Sequence, residues 1–169
     1  MNIGIIPARL NSKRFPKKIL TPLNGKPMVV NTVERSLMAK NLDRVILAID
    51  SEETKKALKD FDFDIVMTSK DHTSGTDRIA EVVQDIEEAN IIINIQGDEP
   101  MIDPKIIDSL VNKLESPFVE FATIISKNLS ASDILNPNVV KAFINEREEI
   151  IEFKRNIFDF QIGGAYRHI

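Results

Sequence analysis

Short runs of apolar, β-branched residues alternate along this chain with segments of helical period. That alternation restricts the fold more than any other feature, because parallel strands cannot be joined by a tight turn and need a crossover, usually a helix. Residues 2–6 read as a first strand, apolar enough to be covered on both faces. Further strands are expected at 44–49, 64–67 and 91–95, and helices at 52–59, 76–88 and 104–114. A turn at Asn24-Gly25-Lys26-Pro27 opens another helix, whose Val29, Val30, Val33, Leu37 and Met38 recur at 3.6-residue spacing and are expected to face the core. Extended runs follow at 120–126, 139–144 and 150–153, the last two joined by a polar turn at 145–148. The expectation is an α/β domain with a mainly parallel central sheet and more β character near its end.

At 169 residues the chain is long enough for one sizeable core, and no linker, repeat or low-complexity stretch divides it, so residues 1–169 are expected to form a single domain. The net charge of -4 provides no broad attraction for nucleic acid or an anionic membrane. There is no cysteine, which excludes disulfides and thiolate metal sites. The first apolar run is too short for a signal peptide, and nothing approaches a membrane span, so a cytoplasmic location is expected.

Two strands end in residues able to do chemistry, where open parallel sheets place their ligands. The first runs into Pro7-Ala8-Arg9 and a loop with five cations among positions 9–18, Ser12, Arg14 and Lys18 included. Arginine forks, a lysine point charge and backbone amides together can hold a triphosphate. The plainer reading is a solvated charge run, but its place directly after a buried strand weighs against that. Neither G-x-x-x-x-G-K-[ST] nor G-x-G-x-x-G occurs, which removes the defining features of P-loop and dinucleotide-binding proteins. The fourth strand runs into Gln96-Gly97-Asp98-Glu99-Pro100. Asp98 is a natural Mg²⁺ ligand beside a phosphate chain, or simply part of an acidic turn.

Asp71-His72-Thr73-Ser74-Gly75-Thr76-Asp77-Arg78 enters a helix, either to meet a base and ribose or to cap the helix. Capping explains the hydroxyls but not Arg78. Asp50, at the end of the second strand, is assigned to capping the next helix. His72 has no second histidine or cysteine near it to complete a metal site. Residues 146–149 read as solvated surface. Lys141 shares a strand face with Val139 and Phe143, directed to an interior or a cleft.

In order, Ile5-Ile6-Pro7-Ala8-Arg9, Ser12-Lys13-Arg14-Phe15-Pro16-Lys17-Lys18, Gly25-Lys26-Pro27-Met28, the 71–78 segment, Asn94-Ile95-Gln96-Gly97-Asp98-Glu99-Pro100-Met101-Ile102 and Asn136-Pro137-Asn138-Val139-Val140-Lys141 resemble the 3-deoxy-manno-octulosonate (Kdo) cytidylyltransferases, the CMP-Kdo synthetases of lipopolysaccharide assembly. The first and third of these segments are shared with many sugar nucleotidyltransferases, whereas the His-x-Ser-Gly-Thr-Asp-Arg and Gln-Gly-Asp-Glu-Pro pair is far more specific. The resemblance implies a Rossmann-like nucleotidyltransferase (nucleotide-diphospho-sugar transferase) fold, in which the sugar's anomeric hydroxyl attacks the α-phosphate of CTP, releasing pyrophosphate. It implies a nucleotide site of Pro7, Ala8, Arg9, Ser12, Arg14 and Lys18 toward the triphosphate and Ser74, Gly75, Thr76 and Arg78 toward the cytidine. Asp98 would bind Mg²⁺ and, with Arg14 and Lys18, serve catalysis. Gln96, Lys141, Arg155 and His168 fall on the sugar side.

Three departures accompany the likeness. Lys17 stands where the family usually has glycine. Lys154-Arg155 replaces a Ser-Arg segment, so only Arg155 carries over. The chain reaches Ile169 where the family continues into a part that helps bind the sugar acid, supplies a second metal aspartate and contributes to dimerisation. His168 is accordingly expected in a frayed terminus, and a homodimer or a second chain completing the site is the expected partner. The competing expectations are a cytidylyltransferase for another acidic sugar, such as a sialic-acid-like one, and a truncated, non-catalytic remnant that binds nucleotide. A receiver-like domain would need an acidic pocket where Pro7-Ala8-Arg9 stands.

Overall fold

In the computed structural model, residues 1–11, 15–157 and 165–168 are described, and they divide into two compact units, Met1–Glu120 and Phe121–Ile169. The first unit opens with β1 (Asn2–Ala8), a 3-10 turn (Lys18–Leu20), a small ribbon of β2 (Pro22–Leu23) and β3 (Lys26–Pro27), and α1 (Met28–Ser36). It continues through β4 (Arg44–Ile49), α2 (Glu52–Ala57), β5 (Asp64–Met67), α3 (Gly75–Gln84), β6 (Ile91–Asn94) and α4 (Pro104–Leu114). Its sheet has the order β5-β4-β1-β6, with every pairing parallel, as the alternation of strand and helix requires.

Because β1 and β4 are interior strands, successive residues feed opposite layers. Ile6, Ala8, Leu47 and Ile49 pack with Val29, Val30 and Val33 of α1 and with Ile107 and Val111 of α4. Ile3, Ile5, Ile46 and Ala48 meet Ile79 and Val82 of α3 on the other face. Burying each isoleucine contributes about 1.5–3 kcal/mol, so these two strands anchor both layers. Among the described residues no helix is long and apolar enough to cross a membrane.

The face α1 turns inward differs from the expected stripe. The helix ends at Ser36, and Leu37 and Met38 are 51% and 65% exposed. Thr32 and Ser36 are fully buried in their stead. Their hydroxyls find carbonyls inside, Thr32 donating to Gly97 O at 3.2 Å and Ser36 to Thr32 O at 2.8 Å. Satisfied hydroxyls bury at little cost, which moves the buried face away from the purely apolar stripe.

The second unit holds β7 (Ile125–Ser126), α5 (Ala131–Leu135), β8 (Lys141–Ile144), β9 (Ile150–Lys154) and β10 (Ala165–His168), in an antiparallel sheet of order β7-β10-β8-β9. The strand expected across 120–126 is reduced to two residues, and α5 was not foreseen. A reciprocal cap starts that short helix: Ser130 Oγ accepts from Asp133 N at 3.1 Å, and Asp133 accepts from Ser130 N at 3.0 Å. The β8–β9 turn is held by Asn145, whose Oδ1 accepts from the amides of Arg147 and Glu149, both at 2.9 Å. His168 is not frayed. It pairs with Ile125 across the sheet and lies edge-on to Phe153 at 4.9 Å, so strand pairing and packing hold it.

Candidate active site

The carboxyl ends of β1 and β6, the 3-10 turn and the N-terminus of α3 enclose a cavity of about 360 Å³. Pro7, Ala8 and Arg9 come from β1 and the residue after it, and Lys18 from the turn. Ser74, Gly75 and Arg78 come from the start of α3, and Gln96, Gly97 and Asp98 from the loop after β6. All of these but Gly97, nine residues, are ones assigned to the site from the sequence, and they meet on one wall or another of the same cavity.

Two glycines make this convergence possible. A Cβ on Gly97 would lie 3.2 Å from the Pro7 carbonyl oxygen, and one on Gly75 would lie 3.1 Å from Pro7 Cγ. Both loops thus close on Pro7 so tightly that an added Cβ would force its neighbour to give by a few tenths of an ångström.

Lys18 Nζ and Asp98 Oδ2 stand 2.6 Å apart, both side chains partly exposed. An exposed pair of this kind contributes little stability, so a triphosphate oxygen and a cation can replace its partners at small cost. Among the described residues no three His, Cys, Asp or Glu side chains gather as a metal site. Asp98 nonetheless fits Mg²⁺, which is commonly held by one or two carboxylates with phosphate oxygens completing its shell. Arg9 is exposed and reaches the Thr73 carbonyl at 3.4 Å. Ser12 and Arg14 lie outside the described residues. Lys17, at the position where the resembling family has glycine, takes φ 56° and ψ 25°. The left-handed conformation suited to glycine is therefore kept by a lysine, whose ammonium pairs with Glu53.

The α3 terminus performs the capping role weighed from its sequence, and it does so on the wall of the cavity. Ser74 is the N-cap: its hydroxyl accepts from Asp77 N at 3.1 Å, and Asp77 in turn accepts from Ser74 N at 3.2 Å. The Ser74 hydroxyl is the main reason the Asp77 carboxyl lies below its ordinary value. The first amides of the helix have no intrahelical acceptor and favour anionic or polar ligand atoms. Thr76 is exposed in this turn and does not line the cavity. His72 pairs with Glu81, which also accepts from Ser69 N, fastening the 68–75 loop to α3. Those contacts, His72 first, lower the Glu81 pKa.

Arg78 is 3% exposed, and its guanidinium donates to Thr68 Oγ1 and to Asp50 Oδ2, the latter at 3.1 Å. Asp50 is not the helix cap expected of it. Ser51 caps α2 by accepting from Glu53 N at 3.1 Å, while Asp50 faces inward and accepts from Leu10 N at 3.0 Å as well as from Arg78. Its position at the end of a strand beside β1 was the one sequence signal for this role. A second cavity, of about 200 Å³, shares Arg9 and Arg78 with the first and adds Asp50, Lys70 and His72.

Of the four residues expected on the sugar side, only Gln96 lines the first cavity, and the other three belong to the second unit. Lys141 is fully buried, its Nζ donating to Asn136 O at 2.7 Å and Arg155 O at 2.6 Å, which is the interior placement of the two that its strand face allowed. Arg155 is exposed and donates to Pro137 O at 3.4 Å. His168 Nε2 is 2.8 Å from Thr123 Oγ1, and burial lowers its pKa.

The cytidylyltransferase family model matches residues 3–161. A 3-deoxy-manno-octulosonate cytidylyltransferase of Geobacter sulfurreducens is 43% identical over 162 residues, 95% of this chain and 64% of the relative. An 8-amino-3,8-dideoxy-manno-octulosonate cytidylyltransferase of a Shewanella species is 40% identical over 162 residues, 94% of this chain and 66% of the relative. The chain thus spans just under two thirds of the length of these two relatives. Among solved structures, a CMP:2-keto-3-deoxy-manno-octonic acid synthetase in complex with CTP superposes with a TM-score of 0.90 at 34% identity, covering 100% of this chain and 72% of that one. The fold is that of the nucleotidyltransferases, and the chain belongs to the cytidylyltransferase family, on its 3-deoxy-manno-octulosonate branch.

Proposed function

We propose that this protein transfers CMP from CTP to the anomeric hydroxyl of Kdo, with release of pyrophosphate, as a step in making a lipopolysaccharide precursor. The observation that carries the reading is the convergence of Lys18, Asp98 and the α3 terminus on one cavity, in a chain that superposes along its whole length on a synthetase complexed with CTP. Arg9 and Lys18, joined by Ser12 and Arg14 of the same loop, hold the triphosphate. The α3 terminus and Arg78 orient the nucleoside, and Gln96 meets the sugar. Mg²⁺, held by Asp98, would neutralise phosphate charge when bound. The sugar hydroxyl gives up its proton to solvent and its oxygen forms a bond to the α-phosphorus as the bond to the bridging oxygen breaks, and the pyrophosphate leaves with that electron pair. The chain's own contribution is to position the reactants and to balance charge. We place this reaction in the cytoplasm, where CTP is available, and expect the protein to act as a homodimer.

The test is pyrophosphate release by the purified chain with CTP, Mg²⁺ and Kdo, with ATP, GTP and UTP as controls and the 8-amino sugar in parallel. Release that requires both CTP and Kdo is the expected result. Preference for the 8-amino sugar would move the assignment to that substrate. No release with either sugar, while CTP still protects the fold against heat, would replace catalysis by nucleotide binding alone.

A further inference from the structure

We propose that Asp50 is a positioning residue of the nucleotide site, cancelling the charge of Arg78 and fixing its guanidinium so that it reads the nucleoside and not the triphosphate. The inference rests on the cavity being a CTP site. Asp50 follows β4, whose Ile49 lies opposite Ala8 of β1, so the parallel register sets its carboxylate beside the start of the basic loop. One oxygen accepts from Leu10 N at 3.0 Å, the other from Arg78 at 3.1 Å. Arg78 also donates to Thr68 Oγ1, and the Thr68 hydroxyl donates to Ile49 O at 2.9 Å. These hydrogen bonds form a ring closed by the Ile49–Asp50 peptide, with a branch to Leu10, and they tie the ends of β1, β4 and β5 to the first turns of α3.

Burial determines what Arg78 can do. Its side chain is 4% exposed and that of Asp50 13%. A guanidinium so enclosed is tolerable only with a partner, and the pair it forms carries no net charge. A guanidinium has five N–H donors. Among the described residues the contacts of Arg78 use two of its terminal nitrogens, and the side chain borders both cavities. What it offers a ligand is directed N–H groups without net attraction for an anion, and the Asp50 carboxylate repels phosphate oxygens from that corner. Arg9 and Lys18 are more exposed and free to exchange partners, and they remain suited to phosphate. Burial and pairing thus sort the cations of one cavity into phosphate holders and a nucleoside reader.

The experiment is calorimetric titration of wild type and Asp50→Asn with CTP and, separately, with inorganic tripolyphosphate. Asparagine keeps the shape and can still accept from Leu10 N, but it removes the charge. CTP should bind about tenfold more weakly or worse, as expected on losing a charge-assisted hydrogen bond that orients a ligand group. Tripolyphosphate should bind as before or more tightly. A double-mutant cycle keeps the claim testable if the single variant folds poorly. Asp50→Leu with Arg78→Met replaces the pair by apolar side chains, and it should lose no more CTP affinity than Arg78→Met alone, because Asp50 acts through Arg78. Equal losses for both ligands would reduce Asp50 to scaffold, and unchanged CTP affinity in Asp50→Asn would also overturn the proposal. Wild type that binds tripolyphosphate but not CTP would overturn the assignment of the cavity itself, and this inference with it.

Discussion

Replacing Lys141 by methionine tests whether this buried ammonium supports the second unit or serves a ligand. The side chain is fully buried, and Nζ joins the carbonyl of Asn136, before β8, to that of Arg155, after β9, at 2.7 and 2.6 Å. Hydrogen bonds from a charged donor contribute about 1.5–3 kcal/mol each after exchange with water, so the two together favour folding by roughly 3–6 kcal/mol. The opposing cost is desolvation, which holds the Lys141 pKa below its ordinary 10.5; Asp133 pulls it back up and Arg155 adds to the lowering. Methionine removes both the bonds and the buried charge and fills most of the volume, leaving a net loss of about 2 kcal/mol. The folded state binds the Lys141 proton less tightly than the unfolded state. The penalty is therefore full below the folded pKa and disappears as pH rises from there to 10.5. Wild type should accordingly gain on the variant as the solution is made alkaline. Hydrogen exchange read by peptide should show β8 and β9 opening more readily in Lys141→Met while β1 and β4 stay protected, with urea melts following the pH dependence. Unchanged exchange in β8 and β9, combined with loss of sugar-dependent pyrophosphate release, would refute this reasoning and return Lys141 to the ligand.

Gly97→Ala should cost about 1–3 kcal/mol and weaken CTP binding, because the added carbon meets the Pro7 backbone oxygen, which cannot step aside as a side chain end would; a melting temperature and CTP affinity like wild type would disprove the close approach. Ser74→Ala should cost about 1 kcal/mol through loss of the α3 cap. Since Asp77 is held below its ordinary 3.8, the contribution of the cap is present above that value and is lost as pH falls through the folded pKa. The gap between wild type and Ser74→Ala should therefore narrow in strong acid, and a constant gap would count against the pairing. Asp98→Asn should make the heat of CTP binding independent of Mg²⁺ while the melt stays cooperative, and a surviving Mg²⁺ dependence would remove Asp98 from the metal site.

What was legible in the chain is the part fixed by periodicity. The expected bounds of β4, β5 and α4 match the structure, since each is a clean run between turn signals. The cavity was legible too, because parallel topology delivers the ends of β1 and β6 to neighbouring positions, and both Arg9 and Asp98 stand at such ends. Less could be read where side chains satisfy one another inside. Thr32 and Ser36 turn inward because carbonyls await them, which no stripe of apolar residues announces. Asp50 precedes a helix and so resembled a cap, yet the adjacent Ser51 does that work and frees the carboxylate for Arg78. The short strands of the second unit hold few apolar residues each, and β10 is specified by its neighbours more than by its own sequence.

The central position of β1 also determines the order in which the first sheet can be completed. Its partners lie far along the chain: Gly4 pairs with Val45 on one side and with Ile93 on the other, separations of about 40 and about 90 residues. Contacts this distant in sequence close slowly, since the loop entropy is lost before the pairing repays it. During synthesis at roughly 5–20 residues per second, the open edge of β1 therefore waits several seconds for β6. Over that interval an apolar strand has one side without a partner, and chaperone contact would fall there. The cavity shares this schedule: Arg9 is made early, but the wall that carries Asp98 arrives only with the last strand of the sheet.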